Sequence, residues 1–137
     1  MMARKKGQQW IAVCGTKDFN EPQLLYEKMD FYVSNFSIPP VILIGGCKQR
    51  VFKTLNSYLY VGTDYFVEMW AYTKKLTVRI HRPDFNSHNT RLAALEARNR
   101  EMIQEASSLI VFGIDKENKV VIELAKEKKI SVKIVKY

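Results

Sequence analysis

Apolar residues along this chain gather into short continuous runs separated by longer amphipathic stretches. Trp10-Ile-Ala-Val-Cys14 and Val41-Ile-Leu-Ile44 have strand length, and each stops at glycine, Gly15 and Gly45-Gly46. Unbroken apolar runs of this kind predict parallel strands covered on both faces. Leu76 to Ile80, Leu109 to Phe112 and Ser131 to Val135 predict three more, the last with β-branched alternation. The intervening stretches carry helical spacing. Pro22 stands at a favourable first-turn position of a helix to about Val33, with Leu24, Leu25, Met29 and Tyr32 near one face. Gly62-Thr63-Asp64 opens a second helix through Tyr72. Asn89 or Thr90 caps a third, from Arg91 to about Ala106. Val120 to Lys128 reads as the last. Residues 47–61 fit neither period and mix Lys48, Arg50 and Lys53 with Phe52, Tyr58 and Tyr60.

Five strands alternating with helices predict an α/β protein: a three-layer, Rossmann-like open parallel sheet of about five strands with helices on both faces. Right-handed crossovers place the loops 15–19, 45–64, 81–85 and 113–118 on one edge, the edge where such sheets bind ligands. No repeat or low-complexity linker divides the chain. Its 137 residues read as one domain with a basic N-terminal tail, residues 1–8.

Composition narrows the function classes. A hydrophobic content of 47% argues against disorder. No apolar run approaches the roughly 20 residues of a membrane span, and none follows the basic start as a secretory signal requires. Only Cys14 and Cys47 are present, so a disulfide framework is not expected and a reducing, cytoplasmic setting fits. His81 and His88 have no thiol at zinc spacing; neither metal nor cofactor is expected. The net charge of +8 raises nucleic acid as a partner. Its lysines are scattered rather than striped, which makes that the weaker partner reading.

Three constellations carry candidate chemistry. In the first loop, Gly15 precedes Thr16, Lys17 and Asp18: a hydroxyl donor, a cation for phosphate, and an acceptor for ribose hydroxyls. The competing role for Asp18 and Asn20 is helix capping, and for Phe19 staple packing on the first helix. In the second, Gly45-Gly46 permits close backbone approach to a ligand, and Gly62 with Asp64 starts the next helix beside it. The third is Glu96-Ala-Arg98-Asn99-Arg100-Glu101-Met102, where Glu96 and Arg100 are ion-pair partners one turn apart. Asn99 sits near the apolar line Leu92, Leu95, Met102, Ile103, and a buried amide needs partners. A histidine in a loop after a strand, such as His81, can act as a base, but no nucleophile with a clear partner accompanies it or His88. No catalytic residue is assigned.

The order strand–Gly-Thr-Lys-Asp-Phe, strand–Gly-Gly, Gly-Thr-Asp before a helix with Trp70-Ala71, and Arg98-Asn99-Arg100-Glu101-Met102 resembles the YspA-like branch of the SLOG superfamily over residues 9 to 136. The resemblance implies a Rossmann-like fold that binds a nucleotide or nucleotide-derived ligand. Residue by residue it places Gly15, Thr16 and Asp18 in the first loop, Gly45 and Gly46 in the second, Gly62 and Asp64 at its later glycine and acid, and Arg98 and Asn99 at the same edge. By their chemistry, Lys17 and Arg98 are the phosphate candidates. Two departures stand out. Cys47 to Val61 separate Gly46 from Gly62 where the family pattern leaves two residues, an insertion suited to a lid, an oligomer contact or a displaced site. The segment Gly113-Ile-Asp-Lys-Glu-Asn118-Lys119 lacks the Gly-Thr pair of many relatives, which weakens phosphate binding there and weakens an enzyme reading.

The expected function is therefore binding of a nucleotide-derived signalling molecule, for sensing or sequestration, in a small protein that a phage could encode. Two alternatives remain open: a nucleotide N-glycosidase or phosphoribohydrolase using Asp18, Asp64, Asp84 or Glu101, and a basic nucleic-acid-binding module. A homo-oligomer is compatible with the sequence, which fixes no subunit number.

Overall fold

The two continuous apolar runs lie side by side at the centre of the sheet. In the computed structural model, which describes residues 4–137, Trp10, Ile11 and Ala12 of β1 (Trp10–Gly15) pair in parallel with Val41, Ile42 and Leu43 of β2 (Val41–Ile44). The remaining elements are α1 (Pro22–Val33), β3 (Gln49–Thr54), β4 (Ser57–Val61), α2 (Thr63–Thr73), β5 (Thr77–Ile80), α3 (Arg91–Glu105), β6 (Ser108–Phe112), α4 (Lys116–Lys128) and β7 (Ser131–Val135). Five strands form one parallel sheet in the order β5-β2-β1-β6-β7. The chain builds outward from β1 to β2 and β5, then returns to lay β6 and β7 on the other side. The order thus reverses between β1 and β6, the switch point at which open α/β sheets present a crevice.

Strand alternation divides the core in two. Ile11 and Val13 of β1, Ile42 and Ile44 of β2 and Phe112 of β6 pack with Leu25 and Met29 of α1 and Phe66, Val67 and Trp70 of α2. Ala12, Leu43, Leu109 and Val111 face Met102 and Ile103 of α3 and Val121, Ile122 and Ala125 of α4. Helices α1 and α2 therefore cover one face and α3 and α4 the other, as expected for the three-layer fold.

Thr90 is the α3 cap: its Oγ1 accepts the Ala93 N–H at 3.0 Å. Thr90→Ala is expected to lower stability by about 1 kcal/mol and the melting temperature by roughly 3–4 °C. A melt unchanged within about 1 °C would mean that the first turn of α3 finds other acceptors.

Three local expectations change. Helix α4 starts at Lys116 rather than Val120, because Asp115 Oδ1 accepts the Asn118 N–H at 2.8 Å; its polar first turn hides the start from an apolar-periodicity reading. Neither Asp18 nor Asn20 caps α1. Its N-cap is Glu21, without a side-chain capping bond, and Pro22 begins the helix. The uninterpreted 47–61 segment holds an antiparallel hairpin, β3 with β4, pairing Arg50 with Tyr60 and Phe52 with Tyr58. Every residue of β3 is exposed.

The basic tail docks on the domain from Arg4 onward. The Arg4 guanidinium lies 4.8 Å over the Trp10 ring and donates to the Glu105 carbonyl, and Gln8 Nε2 donates to the Pro39 carbonyl at 2.9 Å. The first three residues of the expected tail lie outside the described residues. Among the described residues, no helix is long and apolar enough to cross a membrane.

Candidate functional site

The loop after β1 is tied to the start of α2 before it can reach anything else. The Thr16 carbonyl accepts from the Phe19 N–H at 3.4 Å, the Thr63 N–H at 3.3 Å and the Thr63 hydroxyl at 3.2 Å. Phe19 returns a carbonyl to the Gly62 N–H at 2.8 Å. Gly62 adopts φ +113°, and a Cβ there would stand 2.7 Å from the Lys17 carbonyl oxygen, so only glycine fits this junction. The loop is thus tied down by the N-cap amide of Gly62 and the first amide of α2, that of Thr63.

Above the carboxyl ends of β1 and β2, on the α3/α4 side, lies a cavity of about 340 Å³. Cys14 and Gly15 line it from β1, Gly45 from just past β2, and Thr16 and Lys17 from the first loop. Leu92, Leu95 and Met102 of α3 with Val120 and Val121 of α4 give it an apolar wall. Leu92 is 74% exposed. The polar side is built from Thr63, Asp64, Arg98, Asn99 and Asn118, with Glu96 and Glu117 also in the lining.

Gly45 is the hinge of the polar side. Its carbonyl accepts from Arg98 Nη1 at 3.2 Å, while Arg98 Nε donates to Asn99 Oδ1 at 2.8 Å. A Cβ on Gly45 would stand 3.0 Å from Arg98 Cζ and 3.3 Å from Asp64 Oδ2. Glycine thus lets a guanidinium and a carboxylate both approach one strand end. Asp64 Oδ2 accepts the Cys47 N–H at 2.9 Å. Burial nevertheless pushes the Asp64 carboxyl up to about 6, against the opposing pull of the Cys47 amide and Arg98. Burial likewise pushes the Cys14 thiol up, and the charges of Asp64 and Asp115 push it further. Cys14 therefore remains a thiol and is no nucleophile.

Of the residues singled out from the sequence, Gly15, Thr16, Lys17, Gly45, Asp64, Arg98 and Asn99 meet at this cavity. Gly46, Gly62 and Asp18 do not line it. Gly46 lies against Ile80 and Arg82, Gly62 holds the loop junction, and Asp18 is exposed on the far side of Lys17 in sequence. Lys17 is not a free cation: its Nζ is 3.3 Å from Glu117 of α4. Phe19 is buried but packs on Phe66, Phe112 and Tyr137. Among the candidate acids, Asp64 alone lines the cavity. Asp84 accepts from the Asn86 N–H and the Ser87 hydroxyl in its own loop.

Sequence reasoning missed the α4 contribution. Asn118 is buried, with Nδ2 donating to the Gly113 carbonyl at 2.7 Å; the signal was an Asp-x-x-Asn cap that a later helix start concealed. His81 belongs elsewhere. It is buried against α3, with Nε2 2.6 Å from the Glu105 oxygen that Arg79 Nε also approaches at 3.1 Å, a cluster joining β5 to α3. Among the described residues, no group of three or more His, Cys, Asp or Glu could hold a metal ion. No protein-family model matches this sequence, and neither a curated protein nor a solved structure matches it.

Proposed function

We propose that this chain is a SLOG-like protein that binds a nucleotide or nucleotide-derived molecule at the carboxyl edge of its parallel sheet, for sensing or sequestration. The observation that carries this reading is a cavity with one apolar wall and one polar wall beside the switch point. Its apolar wall suits the faces of a base, and its polar wall offers Asp64 as acceptor and Arg98 and Asn99 as donors to a ribose or phosphate. The size supports a small ligand: about 340 Å³ lies at the low end of the roughly 300–1,000 Å³ typical of ligand sites. In the alternative reading Asp64, which lines the cavity, would serve a glycosidic reaction, and an assay for released base with Asp64→Asn as control separates turnover from binding.

The direct test is a thermal-shift panel of adenine and guanine nucleotides and their nucleosides, cyclic dinucleotides, NAD, ADP-ribose and its cyclic forms. A ligand at about 100 times its dissociation constant adds roughly 2.7 kcal/mol. Gly45→Ala displaces the Arg98 guanidinium without a positive φ to strain the backbone, and is expected to weaken that ligand about tenfold, near 1.4 kcal/mol. Equal affinity in Gly45→Ala and Arg98→Ala would remove the cavity from consideration, as would a panel that produces no shift.

A further inference from the structure

Charge is unevenly divided between the cavity and the hairpin beside it. Three carboxylates, Asp64, Glu96 and Glu117, line the cavity against two cations, Lys17 and Arg98. Both cations already have partners: Arg98 in the Gly45 carbonyl and Asn99, Lys17 in Glu117. The two helix starts beside the cavity are in part committed as well. The Gly62 and Thr63 amides are bonded to the first loop, and α4 begins with Asp115 on the Asn118 N–H and Glu117 in its first turn. Glu117 is taken up by Lys17 and Glu96 by Arg100 at 3.2 Å, so a di- or triphosphate placed here would meet no uncommitted cation, and Asp64 would face it in a partly desolvated space.

Next to it lies a shallower depression lined by Lys17, Lys48, Gln49, Arg50, Phe52 and Tyr60. It contains no carboxylate, and Lys17 lines both spaces. Lys48 Nζ sits 4.2 Å from the Tyr60 ring centroid and Arg50 Cζ 5.1 Å from that of Tyr58. Strand alternation puts Arg50 and Phe52 on one side of the hairpin, opposite Tyr60 and Tyr58 in register, and Lys48, just before β3, reaches the same Tyr60. Among the described residues neither Lys48 nor Arg50 forms an ion pair. Their heads are held in place by aromatic rings while their charge remains unneutralised.

We propose that the ligand is bound in two parts: a nucleoside in the cavity, and its phosphate chain over Lys48, just before β3, and Arg50 of the β3–β4 hairpin. The inference rests on the nucleotide reading above and specifies it. It makes the ligand a nucleoside bearing more than one phosphate, and makes the insertion between Gly46 and Gly62 the phosphate-binding element. Discrimination among phosphorylation states then lies in the hairpin, and discrimination among bases in the wall formed by α3 and α4.

The test compares the full chain with its Lys48→Gln/Arg50→Gln variant by calorimetry against adenosine, AMP and ATP and against guanosine, GMP and GTP. Single-stranded oligonucleotides are included as a separate arm. Both substituted positions are exposed, so the variant should melt with the parent. For the base that binds, the triphosphate is expected to exceed the nucleoside at least tenfold in the parent. That advantage should shrink about tenfold in the variant while nucleoside affinity stays within twofold, and it should diminish with added salt. A variant that keeps the full triphosphate advantage, or a parent that binds nucleoside as tightly as triphosphate, overturns the two-part arrangement and leaves nucleotide binding intact. No binding by any of the six overturns the two-part arrangement, and the nucleotide reading falls with it when the thermal-shift panel is also silent. Oligonucleotide binding alone, lost in the variant, overturns both as well and reassigns the hairpin to nucleic acid.

Discussion

Phe19→Ala is expected to remove about 3–5 kcal/mol of stability and to lower the melting temperature by roughly 10–15 °C. The ring is 1% exposed. It meets Phe66 at 6.3 Å, Phe112 at 5.6 Å and Tyr137 at 4.9 Å between centroids, all edge-on. Three aromatic contacts from α2, the end of β6 and Tyr137, two residues past β7, therefore lose their common partner, beyond the loss of buried area. The backbone around the ring carries the bonds that fix Thr16 against Thr63 and Gly62. Loosening it should release the loop that positions Thr16 and Lys17 at the cavity mouth. Phe19→Leu is the useful companion, since it keeps most of the volume and should cost less than half as much. Chemical denaturation of the three proteins decides the matter: a loss below about 1.5 kcal/mol for alanine would mean that the surrounding side chains collapse into the space.

That same phenylalanine illustrates what the sequence could reveal and what it could not. Its apolar character beside a glycine turn is visible, and so is its packing role in general terms. Its partners are not, because they come from positions 66, 112 and 137, whose proximity depends on strand order. The five parallel strands and the helices between them were readable because continuous apolar runs and 3.6-residue spacing are local signals. Element ends were less so where polar residues do the work, as at Asp115 and Asn118. The hairpin was opaque for a different reason. Both of its sides mix polar with apolar residues, Arg50 with Phe52 on one and Gln49 with Val51 on the other, so no clean alternation marks a solvent face.

The site was legible in part for a topological reason. Right-handed crossovers bring all strand-to-helix loops to one edge, so Gly15, Gly45 and Asp64 could be grouped without knowing distances. The motif from α3 joined them because Arg98 reaches back to the Gly45 carbonyl. What could not be read was which side chains were already engaged. Lys17 looks like a phosphate cation in sequence and stands 3.3 Å from Glu117 in the fold, a partner a hundred residues away. Asp18, adjacent to it, points its chemistry at solvent. Sequence identifies residue types at an edge; the balance of their charges requires the fold.

Asp64 should respond to substitution in opposite senses for stability and for binding. Its carboxyl is raised from 3.8 to about 6, chiefly by burial. The folded state then binds a proton more tightly than the unfolded state. Below about pH 3.8 the group is protonated in both and contributes nothing; as pH rises toward 6 the unfolded chain ionises first and folding loses stability, reaching its full penalty above about 6. Asp64→Asn removes that dependence. It retains an oxygen for the Cys47 N–H, and is expected to be more stable than the parent at pH 7 by about 1–2 kcal/mol, discounted from the full two-unit shift because the site is partly open to solvent. The difference between the two proteins should vanish near pH 4. Ligand affinity should move the other way, falling at least tenfold, since the amide is a poorer acceptor for ribose hydroxyls and leaves Arg98 without its nearby charge. Urea denaturation at pH 4, 5, 6 and 7 on both proteins, with binding measured at pH 7, reads both effects. An Asn variant less stable at every pH would mean that the ionised carboxylate holds the strand ends together. A variant more stable and equally able to bind would mean that its charge serves neither purpose. Stability gained together with affinity lost is the signature of a group kept ionisable for a ligand at the expense of the fold.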